Sequence, residues 1–207
     1  MSRVHIRIQF KNNNMINRLI IHAIYQILYI LTYWVRGIEG ITELLSHSPG
    51  FVVGRALRRY GAKIGEEVSF KAGIVIDNAT GDKDATGDFS NLTIGSHTYI
   101  GKGVFFDLPH RISIGKQCAI SAGVMFITHA DCGKRPMAAW YPRRTGLVEV
   151  GDGSWIGVNA VILSGVSLGK CCVVGAGSIV NKSFPDYSVV AGVPARIIKR
   201  LPVKTNG

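Results

Sequence analysis

The feature that most constrains this chain is an aliphatic or aromatic residue that returns every sixth position, usually with a small or acidic residue behind it. It starts at Ile64-Gly65, Phe70 and Ile76-Asp77, and returns at Ile94-Gly95, Ile100-Gly101 and Phe106-Asp107. After a short slip it resumes at Ile114-Gly115, Ile120-Ser121 and Phe126. The longest unbroken run is Val150, Ile156, Ile162, Leu168, Val174 and Val180, with glycine directly after four of them. A period of 3.6 would scatter these side chains around a helix, and a period of two has no use for a small neighbour at every sixth place. What fits is a solenoid of very short strands, each sending one apolar side chain inward while the small residue lets the backbone turn a corner: a β-helix of hexapeptide repeats. The 25 glycines follow no collagen period and serve the same reading.

Two stretches break the period, and loops expelled from a solenoid tend to gather where binding occurs. One is Asn78 to Asn91, polar and rich in Asp and Gly; the other is Cys132 to Leu147, which carries Lys134, Arg135, Arg143 and Arg144 around Trp140 and Tyr141. The resulting division is an N-terminal helical segment over 1–61, the β-helix over 62–200 and a tail over 201–207. A chain of 207 residues can bury a core without staples. Cys118, Cys132, Cys171 and Cys172 show no metal-type spacing, so they read as structural thiols in a reduced compartment.

The N-terminal segment has its own character. Leu19 to Val35 is a run of 17 residues, nearly all apolar, interrupted by His22 and Gln26. At about 1.5 Å per residue it sits at the lower edge of what spans a bilayer. The preferred readings are a helix on a membrane interface or one packed against another part of the assembly. Tyr25, Tyr29, Tyr33 and Trp34 suit an interface, and Arg3, Arg7, Lys11, Arg18 and Arg36 suit lipid phosphates. Val52 to Tyr60, with Arg55, Arg58 and Arg59, reads as a short basic helix. A formal charge of +11 favours anionic partners. With no cleavable signal evident, the expectation is a cytoplasmic protein, peripheral to the inner face of the membrane, with no nucleic-acid role.

The segment from about Ile64 to Arg200 resembles the hexapeptide-repeat acyltransferases, and most closely the maltose, galactoside and polysaccharide O-acetyltransferases. The residues that carry the resemblance are ITHAD at Ile127–Asp131, the stretch from Val148 to Lys199, and within it AGVPARIIK. The resemblance implies a left-handed parallel β-helix, a homotrimer, and active sites in clefts between neighbouring subunits. It implies transfer of an acetyl or similar small acyl group from acetyl-coenzyme A to a hydroxyl of a sugar or glycan, with His129 as general base. A hydroxyl is a weak nucleophile at neutral pH, so an imidazole that takes its proton is what such chemistry needs. Asp107 is the candidate to touch the acceptor or orient the imidazole, with Asp131 as its rival. Trp155, Gly157, Ala176, Asn181, Lys182, Arg196 and Lys199 match positions that hold coenzyme A, although Asn181 departs from the usual Thr.

Other readings remain at this level. Acyl carrier protein is an alternative donor that would suit a basic surface. A trimeric scaffold without chemistry would account for the repeat alone. A metal enzyme on the same fold would need three histidines; His97, His110 and His129 lack the close pair this requires, so no metal is expected.

Overall fold

The computed structural model describes residues 15–202. The six-residue period becomes a three-sided parallel β-helix. One face stacks the strands Lys63–Ile64, Leu92–Ile94, Ile112–Ile114, Val148–Val150 and Ser167–Leu168. The second stacks Ser69–Phe70, Tyr99–Ile100, Ala119–Ile120, Trp155–Ile156, Val173–Val174 and Ser188–Gly192, and the antiparallel strand Ala195–Arg200 follows. The third stacks Val75–Asp77, Phe105–Asp107, Met125–Phe126, Val161–Ile162 and Ile179–Val180.

The register explains the repeat. Ile64, Ile94, Ile114, Val150 and Leu168 form one interior ladder. Phe70, Ile100, Ile120, Ile156, Val174 and Val190 form a second. Ile76, Phe106, Phe126, Ile162 and Val180 form the third, in which the Phe106 and Phe126 rings stack with centroids 5.5 Å apart. Nearly all of these side chains are buried, each contributing about 1.5–3 kcal/mol. The small residue behind them has a packing cause. A Cβ on Gly95 would stand 2.6 Å from the carbonyl carbon of Gly115 and from the nitrogen of Lys116 in the next coil.

The interruptions lie where the period breaks. Residues 78–91 leave after the third face of the first coil, and 128–147 leave after the third face of a later one, so both emerge from the same edge of the prism.

The first helix runs Met15–His47, longer than the apolar run it contains, with a non-helical break at Gly37. A second helix, Gly50–Arg59, is the short basic one expected. The two helices pack on the first coil through Tyr29, Ile38, Ile41, Leu45, Val52, Val53, Ala56 and Leu57. Tyr29 donates to Ser48 Oγ at 2.6 Å, and the Tyr60 hydroxyl donates to the Tyr29 carbonyl at 2.9 Å, fixing the joint between them. Upstream of Gly37, one side of the first helix is different. Leu19, Ile20, Ile24, Ile27, Leu31 and Trp34 are exposed by 50% to 83%, an apolar face that nothing among the described residues covers. Arg3, Arg7 and Lys11 lie outside the described residues.

Candidate active site

His129 opens the second expelled segment, where the chain leaves the third face. His129–Ala130 pairs antiparallel with Arg144–Thr145, a two-stranded ribbon standing off the coil. Directly below, Asp107 ends its strand on the third face. The Asp107 carboxylate is buried, 2% exposed, and is fully engaged. Oδ2 accepts from the backbone N–H groups of Thr128 at 2.8 Å and His129 at 3.1 Å, and lies 2.7 Å from His129 Nδ1. Oδ1 accepts from Asn78 Nδ2 at 2.8 Å. Thr128 Oγ1 also donates to the Asp107 carbonyl at 2.8 Å, which locks the base of the ribbon. With Nδ1–H donated to the carboxylate, the imidazole presents the lone pair of Nε2, on a side chain 23% exposed. A buried carboxylate behind a reachable imidazole is an arrangement able to remove a proton from a bound hydroxyl and hold the resulting imidazolium.

Asp131 does not reach the imidazole. It accepts from the Gly133 N–H at 2.7 Å and from Arg143 at 3.1 Å. Arg143 is 14% exposed and also binds Asp82 at 2.7 Å and Asp84 at 2.9 Å, so one guanidinium ties the first expelled loop to the second. Burial works against the charge on Arg143, but the bonds from Asp84, Asp82 and Asp131 outweigh it and push the pKa further up. Burial likewise raises Asp82, yet the Asp84 N–H and Arg143 win and its pKa falls. The Asp131 pKa falls because of the Gly133 N–H and Arg143. Arg143 is thus committed to the protein's own carboxylates, while Trp140 and Tyr141 of the same loop are 72% and 68% exposed. Beside the ribbon, Asp84, Asn91, His110, Arg111 and Thr145 line a cavity of about 470 Å³. Among the described residues no three His, Cys, Asp or Glu side chains form a group that could hold a metal ion.

Residues 148–182, six strands and the corners between them, match the family model for the bacterial transferase hexapeptide of six repeats. A hexapeptide-repeat acetyltransferase of Vibrio cholerae superposes with a TM-score of 0.64 at 26% identity, over 77% of this chain and 85% of that one. The fold is that of the hexapeptide-repeat acetyltransferases. A second hexapeptide-repeat structure, galactoside acetyltransferase in complex with coenzyme A, superposes at TM-score 0.65 and 23% identity over 78% of both chains. In sequence, the galactoside O-acetyltransferase of Escherichia coli K12 is 32% identical over 117 residues, 54% of this chain. The chain spans 55% of that relative's length.

In this hexapeptide-repeat frame the residues expected to hold coenzyme A fall into four places. Trp155 stands outward on the second face, 55% exposed, with Nε1 donating to Ser121 Oγ at 3.2 Å. Gly157 and Ala176 stack on the next corner in successive coils, and a Cβ on Gly157 would come within 2.6 Å of Ala176 N, a packing reason for that glycine. Asn181 and Lys182 follow the last strand of the third face, where Lys182 Nζ lies 5.7 Å over the Phe184 ring. Arg196 and Lys199 are exposed on the antiparallel strand that follows the second face. His129 leaves from the third face and Trp155 lies on the second, so within one chain they occupy different sides of the prism.

Asn78 and the role of Arg143 were not foreseen from the sequence. Asn78 had a faint signal. It follows Asp77, whose strand partner is Asp107, so the residue that turns out of the coil there lands against the carboxylate. Arg143 had none, because its three partners come from distant stretches of the expelled loops.

Proposed function

We propose that this protein transfers an acetyl or similarly small acyl group from acetyl-coenzyme A to a hydroxyl of a sugar or glycan precursor. The observation that carries the proposal is the 2.7 Å contact between the buried Asp107 carboxylate and His129 Nδ1, which leaves Nε2 as the base. The acceptor O–H gives its proton to Nε2 as the oxygen attacks the thioester carbonyl. The tetrahedral oxyanion then collapses, the C–S bond breaks, and the Nε2 proton passes to the departing sulfur. Asp107 positions the ring and stabilises the imidazolium. The polar cavity of Asn91, His110 and Arg111 beside the ribbon is the acceptor's place in this reading.

The donor lies along the later coils. Trp155, Gly157, Ala176 and Asn181 flank the pantetheine arm, and Lys182, Arg196 and Lys199 meet the phosphates. Because His129 and Trp155 lie on different faces of one prism, a homotrimer in which a neighbour's second face meets this chain's ribbon would complete the site. The exposed apolar face of the first helix belongs to the same proposal as a contact with the inner surface of the cell membrane, where glycan precursors are assembled.

The test is release of free thiol from acetyl-coenzyme A with a panel of sugars and glycan fragments. Acceptor-dependent release in the wild type, lost in His129→Ala, is the expected result. No release with any acceptor, together with no calorimetric binding of coenzyme A, overturns it.

A further inference from the structure

Away from the candidate active site, the start of the first helix and the second helix enclose two adjoining cavities of about 640 and 550 Å³ that share Arg18, His22, Phe51 and Arg55. Their chemistry is unusual for a monomer surface. The Arg18 guanidinium lies 5.0 Å over the Phe51 ring, and the His22 ring stacks on the same Phe51 with centroids 6.5 Å apart. His22 Nε2 and Gln26 Nε2 are buried without a hydrogen-bond partner among the described residues, a cost of the kind that a bound polar group removes. Among the described residues no carboxylate lies within ion-pair distance of Arg18 or Arg55. Glu67 lines the larger cavity, but its carboxylate is 3.1 Å from His97 Nδ1; Arg58 is spent on the carbonyls of Ile64 and Gly65. The cavities therefore hold uncompensated positive charge.

They also open directly onto the uncovered apolar face. Met15 and Leu19 line the smaller cavity, and Ile20, Ile24, Ile27 and Leu31 continue the face along the helix to Trp34. At its other end Arg59 shares a further cavity with Trp34 and Tyr33. An apolar strip with cations at both ends matches a bilayer surface, where phosphates lie a few ångströms above acyl chains. A second copy of the chain would cover the strip too, but with a net charge of +11 it is a poorer counterion for Arg18 and Arg55 than an anionic lipid surface.

We propose that this surface docks on an anionic bilayer, with a lipid phosphate held between Arg18 and Arg55 and the acyl chains against the outward face of the first helix. It deepens the membrane part of the reading above and does not depend on acetyl transfer.

The experiment is flotation of the full chain with vesicles of phosphatidylcholine alone and with added phosphatidylglycerol. Binding to the anionic vesicles is expected, with partitioning on the order of tenfold lower or worse in the pair Arg18→Glu/Arg55→Glu. Ile20→Asp/Ile27→Asp loses binding as well, because the acyl contact is gone. Inorganic phosphate at the same ionic strength as a chloride control does not displace the protein. Equal flotation of wild type and both variants overturns the proposal, and so does saturable binding of inorganic phosphate with no vesicle binding. If the wild type ignores vesicles and Ile20→Asp/Ile27→Asp lowers its sedimentation mass, the face is an interface between copies and the proposal is wrong. Thiol release from acetyl-coenzyme A, run on the same variants, separates this failure from failure of the acetyl-transfer reading.

Discussion

The coils and the two loops that leave them are built on opposite principles. In the coils every position of a ladder does what the positions above and below it do. Ile94, Ile114 and Val150 are interchangeable in kind, and the backbone bonds are satisfied by the neighbouring coil. In the loops nothing is repeated. Asp107, Asn78, Thr128, Arg143, Asp82, Asp84 and Asp131 each have particular partners. The regular part supplies rigidity from many similar contacts, whereas the irregular part spends that rigidity to hold a few polar groups in one geometry.

The sharpest way to break this comparison is to remove one group from each part. His129→Ala is expected to lower acceptor-dependent thiol release by about 10²–10⁴-fold with an unchanged melting temperature. Ile100→Ala, in a fully buried ladder of the second face, is expected to cost about 2–5 kcal/mol in denaturant unfolding while kcat in the cold stays near wild type. If the Ile100 variant loses activity while still folded, the division between scaffold and chemistry is wrong.

Asp107→Asn asks whether charge or shape matters at the junction. The amide oxygen can still accept from Thr128 and His129, but the negative charge beside the imidazolium is gone. Release is expected to fall about 10²-fold, within what a positioned base contributes. The loss should appear in kcat with the melting temperature little changed; full activity in a folded Asp107→Asn protein would make Asp107 a structural residue only.

Arg143→Gln tests the tie between the two loops. It leaves Asp82, Asp84 and Asp131 without their shared cation, so thiol release should fall by a smaller factor than in Asp107→Asn, as the ribbon that carries His129 loses its brace. The smallest effect is on stability in acid. The lowered pKa values of Asp82 and Asp131 mean that their contribution is present above the unfolded-state value of about 3.9 and is lost as pH falls through the lower folded-state values. Thermal melts below about pH 4 should show this loss in the wild type and a smaller one in Arg143→Gln, where the Asp84 and Gly133 N–H groups still hold Asp82 and Asp131 down.

How much was legible follows the same division. The β-helix could be read from Ile64 to Val180 because a period is a local pattern that each coil restates. His129 and Asp107 were legible through their motif and neighbouring strand, with Asp131 left standing as a rival. Both carboxylates lie near His129 along or across the chain, and only the register of the third face puts Asp107 beneath the imidazole. Arg143 was legible only as one cation of the second loop, because two of its three carboxylates, Asp82 and Asp84, come from the other loop. The outward face of the first helix was ambiguous for a related reason: an apolar run states its need for cover without naming the cover.

The strand Ala195–Arg200 runs back against Ser188–Gly192. A parallel stack of coils otherwise finishes in a row of unpaired amides and carbonyls, a template on which another stack could grow. The reversal occupies that row on the second face and presents Arg196, Lys199 and Arg200 along the new margin, while at the opposite end the two helices lie over the first coil. End-to-end growth along the solenoid axis is therefore disfavoured by cover at one pole and by a margin of positive charge at the other.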